Sequence, residues 1–315
     1  FSVVVPYTNV IFKQVYEYAT SDSPFWLTAD SNYLYWSGRK EGTPYFKIFR
    51  TDGVSDVQEV TNISPGNDSD NSATTYHDYH IIDGDFYAPL RLGNYYKLFK
   101  INQAATTAEQ ISDIAGPSAT DNINNPSVAG GKLFFQSQIG PQAKIVQVNE
   151  AGLTDFANGR GKVTEFNDEM YFEHWDGSTY RLAKKTTSGD IETLSDGTLF
   201  TSPKHFFEYN GHLYFVANTL SRWKLFRTDG ATVEQVSNIN GNAANDFHVT
   251  APPYFAIHEG ELLFFAHSGS LLKLFKFDGT NLTQISNTNN GGNDTPTGNP
   301  RAFPIVNCGG KTFAL

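Results

Sequence analysis

The phrase WKLFRTDG at residues 223–230 returns as LKLFKFDG at 272–279 and stands upstream as FKIFRTDG at 46–53. A chain that repeats a strand-like run ending in Asp-Gly is building copies of one unit. Asp-Gly closes a tight turn, and the aromatic and β-branched residues before it favour extended backbone. A second signal recurs with it, a turn pair followed by a short apolar run. It reads DSNYLYW from Asp30, DGDFYAP from Asp83, GGKLFFQ from Gly130 and NDEMYFE from Asn167. NGHLYFV from Asn210, EGELLFF from Glu259 and GGKTFAL from Gly309 complete a series spaced by 37 to 53 residues.

Each unit therefore predicts four strands, as two hairpins joined by a connector. No segment shows a capped 3.6-residue periodicity, so helix is expected to be nearly absent. Four-stranded units at this spacing predict a β-propeller, which protects sheet edges by radial repetition. The ends suggest the count. Residues 302–315 supply a first hairpin, and residues 2–16, SVVVPYTNVIFKQVY, supply a second. Together they would close a seventh blade, giving an all-β, seven-bladed β-propeller that occupies 1–315 as a single domain.

The G-x-LYF…LFRTDG unit resembles the bacterial extracellular repeat built on an ELWxxDGT phrase. The resemblance implies a propeller that is secreted or attached to the cell surface, and by itself it implies no activity. Composition agrees with an extracytoplasmic location, being poor in Cys and Met. It also narrows the partners. Twenty-three basic against 33 acidic residues leave a formal charge of −10. A nucleic-acid partner would demand a concentrated basic surface, so none is expected. The single Cys308 cannot form an internal disulfide or a zinc site. No apolar run approaches the roughly 20 residues that span a bilayer, so no membrane insertion is expected. FSVVVPY is too short for a signal peptide.

The repeated aspartates read first as structure. Asp52, Asp229 and Asp278 sit in the Asp-Gly turns and are expected to bond their own backbone. The connectors between blades repeat as well: TNISPGNDSD from Thr61, SDIAGPSATD from Ser112, SNINGNAAND from Ser237 and SNTNNGGND from Ser286. Turn capping is the plainer reading of their Asp and Asn residues. A calcium site through Asp70, Asp121 and Asp246 is the sharper one, although no EF-hand spacing is present. No cofactor motif appears. In HDYH, His77 and His80 fall on opposite strand faces, which argues against a metal pair.

Residues that fail to repeat are better candidates for a ligand. Between the second and third strands of the units lie Arg39, Arg91, His174, Trp175, Arg222 and Trp223; approaching the first strands lie Tyr76, His77, Tyr79, His205, Tyr254 and Arg301. In a propeller these elements share one loop-rich face around the axis. Aromatic faces beside hydrogen-bonding groups suit sugar rings. The preferred reading is a non-catalytic recognition module for a glycan or a cell-surface protein, serving in adhesion or surface binding. One alternative is a polysaccharide lyase or hydrolase built on His77, Tyr79, His205, Tyr254 and Arg301, in which a Tyr or His removes the proton α to a uronate carboxylate and Arg or a metal neutralises that carboxylate. Another is a structural module of a larger surface assembly.

Overall fold

Hairpin turns set the ladders. In the pairs Asp83–Gly84, Gly130–Gly131, Asn167–Asp168, Asn210–Gly211 and Glu259–Gly260 both residues have positive φ, from 48° to 83°. That is the backbone a two-residue hairpin turn requires. The computed structural model describes residues 25–30, 32–39, 46–54, 57–61, 80–92, 94–102, 108–138, 142–149, 152–194, 200–247, 255–287, 292–294, 305–308 and 311–314. Of the residues singled out above, Tyr76, His77, Tyr79, Tyr254, Arg301 and Asp70 lie outside these, as does the segment 2–16.

The chain divides into two compact units, Phe1–Val163 and Thr164–Leu315. The first holds two four-stranded antiparallel sheets and the first four strands of a seven-stranded one, with consecutive strands as neighbours. They are β1 (Phe25–Ala29), β2 (Leu34–Arg39), β3 (Phe46–Thr51) and β4 (Gln58–Glu59); β5 (His80–Ile82), β6 (Asp85–Leu92), β7 (Tyr95–Asn102) and β8 (Ala108–Gln110); and β9 (Asn124–Ala129), β10 (Lys132–Gln138), β11 (Ala143–Asn149) and β12 (Gly152–Phe166). The last residues of β12 open the second unit, leading into β13 (Glu169–Trp175), β14 (Tyr180–Lys185) and β15 (Ile191–Thr193).

The second unit continues with β16 (Thr201–Tyr209), β17 (His212–Thr219), β18 (Arg222–Thr228) and β19 (Val233–Gln235). After a 3-10 turn at Gly241–Ala243 come β20 (Phe255–His258), β21 (Glu261–Ser268), β22 (Leu271–Phe277) and β23 (Leu282–Gln284). The expected C-terminal hairpin is present as β24 (Ile305–Cys308) paired with β25 (Lys311–Ala314). That 3-10 turn is the only helical element among the described residues.

Middle strands are apolar on both faces because neighbouring sheets cover both. Leu213, Tyr214, Phe215, Val216 and Ala217 of β17 are all buried. One face joins Leu262, Phe264, Phe275 and Phe277 of the following sheet, and the other joins Phe166, Tyr171, Leu182 and Phe200. The leucine, valine and phenylalanine side chains among these each contribute roughly 1.5–3 kcal/mol through burial.

The connectors between second and third strands depart from the sequence expectation of loops. Thr219 pairs directly with Arg222 across Leu220 (φ 49°) and Ser221 (φ 65°), and Leu92 pairs with Tyr95. Arg91, His174, Trp175, Arg222 and Trp223 are consequently strand residues held in ladders. These two-residue turns, and the one between Ser268 and Leu271, leave almost no loop, whereas four residues separate Trp175 from its partner Tyr180.

Candidate functional site

The repeated phrase carries a chemical device that was not evident from its sequence. Its lysine is buried. Lys224 Nζ lies 2.9 Å from Asp246 Oδ1 and donates to the Gly241 carbonyl at 2.8 Å; the two charged side chains are 1% and 0% exposed. Asp246 also accepts from the Ser237 hydroxyl at 2.8 Å, and that hydroxyl accepts the Leu225 N–H at 2.9 Å. Lys97 repeats the arrangement with Asp121, Asp113 and Ser112, and Lys273 repeats it with Asp294, Asn287 and Ser286. Lys47 occupies the same place, is 3% exposed, and is followed by Thr61, whose hydroxyl accepts from the Ile48 N–H.

These groups fasten one sheet to the next. The Asp246 carbonyl accepts the His267 N–H of β21 at 2.8 Å, and the Asp121 carbonyl accepts the Ser137 hydroxyl of β10 at 2.7 Å. A buried ammonium and carboxylate are tolerable because each is paired and further hydrogen-bonded. The carboxylates considered for calcium thus accept from lysine, serine and backbone donors at Asp121 and Asp246. Among the described residues no group of three or more His, Cys, Asp or Glu could hold a metal ion. The signal available in the sequence was positional. A lysine flanked by apolar residues stood at one place in the phrase, followed by Asp 21 to 24 residues later.

The Asp-Gly turns behave as expected. Asp229 Oδ1 accepts the N–H groups of Ala231 and Thr232 at 2.9 and 2.7 Å, and Asp52 and Asp278 bond their turns in the same way. Gly230 (φ 98°) has no room for a side chain, since a Cβ there would stand 2.9 Å from the Tyr171 hydroxyl.

The structure brings the candidate residues Arg222 and Trp223 together with Lys204. Lys204 sits over the Trp223 ring at 5.1 Å, beside Arg222, whose Nη1 donates to the Ser221 carbonyl. This happens on an irregular strand. β16 shifts register on both sides of Lys204, and Ser202 and His205 are left-handed, at φ 55° and 59°. Bulges of this kind re-aim side chains and concentrate near functional sites. The exposed Leu220 forms the tip of the same hairpin. A second group is local: the Trp175 and Tyr180 rings lie 4.8 Å apart, and His174 meets Phe172 edge-on. Asp176 closes that hairpin, accepting from Ser178, Thr179 and Arg181. Arg39 covers Phe46, and Arg91 bonds Asn94.

The first unit holds a further feature, a cleft of 610 Å³ between the second and third sheets. It opens where the Asp83–Gly84 and Gly130–Gly131 turns lie, at the opposite strand ends from the lysine junctions. In it Lys100 Nζ lies 2.6 Å from Asp85 Oδ2 and 6.0 Å from the centre of the Tyr87 ring. Burial raises the Tyr87 phenol, while the hydrogen bond to Asp85 raises the Lys100 ammonium.

No protein-family model matches the chain, and no curated protein matches it. Solved structures do. One of two prolyl endopeptidases studied for inter-domain dynamics in catalysis and specificity superimposes with a TM-score of 0.55 and 9% identity, over 85% of this chain and 43% of that one. A puromycin hydrolase mutant complexed with PGG gives 0.52 and 13%, over 85% and 47%. The β-propeller domain of the Trilobed protease from Pyrococcus furiosus gives 0.47 and 9%, over 86% and 85%. The chain has an all-β fold with β-propeller neighbours. It spans less than half the length of the prolyl endopeptidase and puromycin hydrolase chains.

Proposed function

We propose that the chain is a non-catalytic recognition module, a seven-bladed propeller of a secreted or cell-surface protein that binds a glycan or protein ligand. One observation carries this reading: the Lys204 ammonium lies 5.1 Å from the centre of the Trp223 ring, beside Arg222 and the exposed Leu220, on a strand that shifts register on both sides of Lys204.

The surface that meets the ligand is the hairpin around Leu220, Arg222 and Trp223, with Lys204 and His205 on the bulged strand behind it. A cation over an indole and an exposed leucine at a strained tip suit a partner with both polar and apolar groups. Arg39, Arg91, His174 and Trp175 belong to the same class of hairpin-end residue, and Tyr76, His77, Tyr79, Tyr254 and Arg301 remain part of the proposed face. The ELWxxDGT-like repeat and closure of the ring by residues 2–16 complete the reading.

A glycan array together with a pull-down of cell-surface proteins tests it. Binding to either, weakened by Arg222→Ala and by Trp223→Ala, supports the proposal. Binding to neither would sink it. Release of unsaturated uronate from an acidic polysaccharide would replace it with the lyase reading.

A further inference from the structure

We infer that the cleft between the second and third sheets is a binding site for a neutral saccharide. The inference rests on the recognition reading but uses a different surface from the Trp223 hairpin. The floor is apolar: Ile82, Tyr87, Ile111, Leu133 and Val148 line the cleft and pack against the hydrophobic cluster beneath it. A half-buried tyrosine ring among aliphatic side chains accepts the C–H face of a pyranose.

The rim is polar and mixed. Asp83 and Glu109 are acceptors, Lys132 is a donor, and the amides of Gln110, Gln147 and Asn149 are of both kinds. Asp85 and Lys100 neutralise one another across 2.6 Å. Two carboxylates then face one ammonium, which disfavours a polyanion and leaves no concentrated charge to hold a cationic ligand. Hydroxyl groups, each both donor and acceptor, match such a rim. An apolar floor, a few convergent polar groups and a volume within the usual range of roughly 300–1,000 Å³ describe a small-molecule site.

The test is an NMR titration of the whole chain with neutral oligosaccharides of glucose, galactose, mannose and N-acetylglucosamine, with a polyuronate and an extended peptide in parallel. Saturable shifts are expected in residues 82–87, 109–111, 131–133 and 147–149 for at least one neutral sugar. Glu109→Ala and Lys132→Ala, both at exposed positions, should each weaken it by about tenfold. Tyr87→Leu, which keeps the floor apolar, should do the same. The inference is overturned if no neutral sugar binds, if the shifts fall elsewhere, if both rim variants bind normally, or if the polyuronate or peptide binds more tightly. Sugar binding that responds to Arg222→Ala but not to Glu109→Ala overturns the cleft and leaves the recognition reading standing. Failure of every glycan and protein probe removes both.

Discussion

Asp246 and Asp229 flank the same strand, β18, and perform the same local task. Asp246 accepts the N–H groups of Ile239 and Asn240, and Asp229 accepts those of Ala231 and Thr232. Their surroundings differ. Asp229 lies on an exposed turn, where water solvates its charge. Asp246 is fully buried and needs a counter-ion, which Lys224 supplies from within the sheet. The contrast shows that a repeated aspartate is defined by what covers it rather than by the turn it caps. Arg181 extends the lesson. It stands one residue before Leu182, as Lys224 stands before Leu225, and the Leu182 and Leu225 carbonyls accept from Leu194 and Val236 alike. Arg181 nevertheless turns back to Asp176 in its own hairpin.

Removing one partner of the buried pair is the most direct way to break the comparison. Asp246→Ala should cost about 3–5 kcal/mol, because it strands a buried ammonium. Asp229→Ala should shift the urea midpoint far less. Equal losses would mean that burial does not set the weight of these carboxylates.

Glycine substitutions sharpen the comparison at the exposed end. Gly53→Ala and Gly230→Ala both force a side chain into left-handed backbone, at φ 79° and 98°, for a loss of about 1–2 kcal/mol. Gly230→Ala should be the worse of the two in chemical denaturation, since the new Cβ meets the Tyr171 hydroxyl while the Gly53 position is open. At the hairpin tip the expected sign reverses. Leu220→Asn relieves a left-handed leucine and should raise stability by about 1 kcal/mol, read as a higher melting temperature. A drop would show that Leu220 is held by contacts beyond its own turn.

The smallest effect concerns pH. Backbone hydrogen bonds lower the Asp229 carboxyl from 3.8 to about 2 in the folded chain. A depressed acid contributes stability above its unfolded value and loses it as pH falls through the folded one. Melting temperature should therefore decline between pH 4 and 2, and Asp229→Asn should decline less over that window.

Much of the architecture was legible because turn chemistry is local. Asn-Gly, Asp-Gly and Gly-Gly can hold positive φ with little strain, so the first hairpins were readable by eye. The Leu220–Ser221 turn carries none of those residues, so its tightness was not readable from the sequence. The buried lysines were in view, but a lysine within a strand carries no local sign of what will cover it. The cleft left no signal, because its floor and rim come from two sheets spread over residues 82–149.

The sequence by itself determined the unit: its hairpins, its aromatic strands and the connectors that recur between them, all of which follow from short-range φ preference and side-chain shape. Tertiary structure decided which copies of a residue become charged keystones and which stay in water. It also decided that polar groups far apart in the chain meet around one apolar floor. Desolvation makes that difference, and it depends on which neighbouring sheet covers a side chain, a fact that no local stretch of sequence contains.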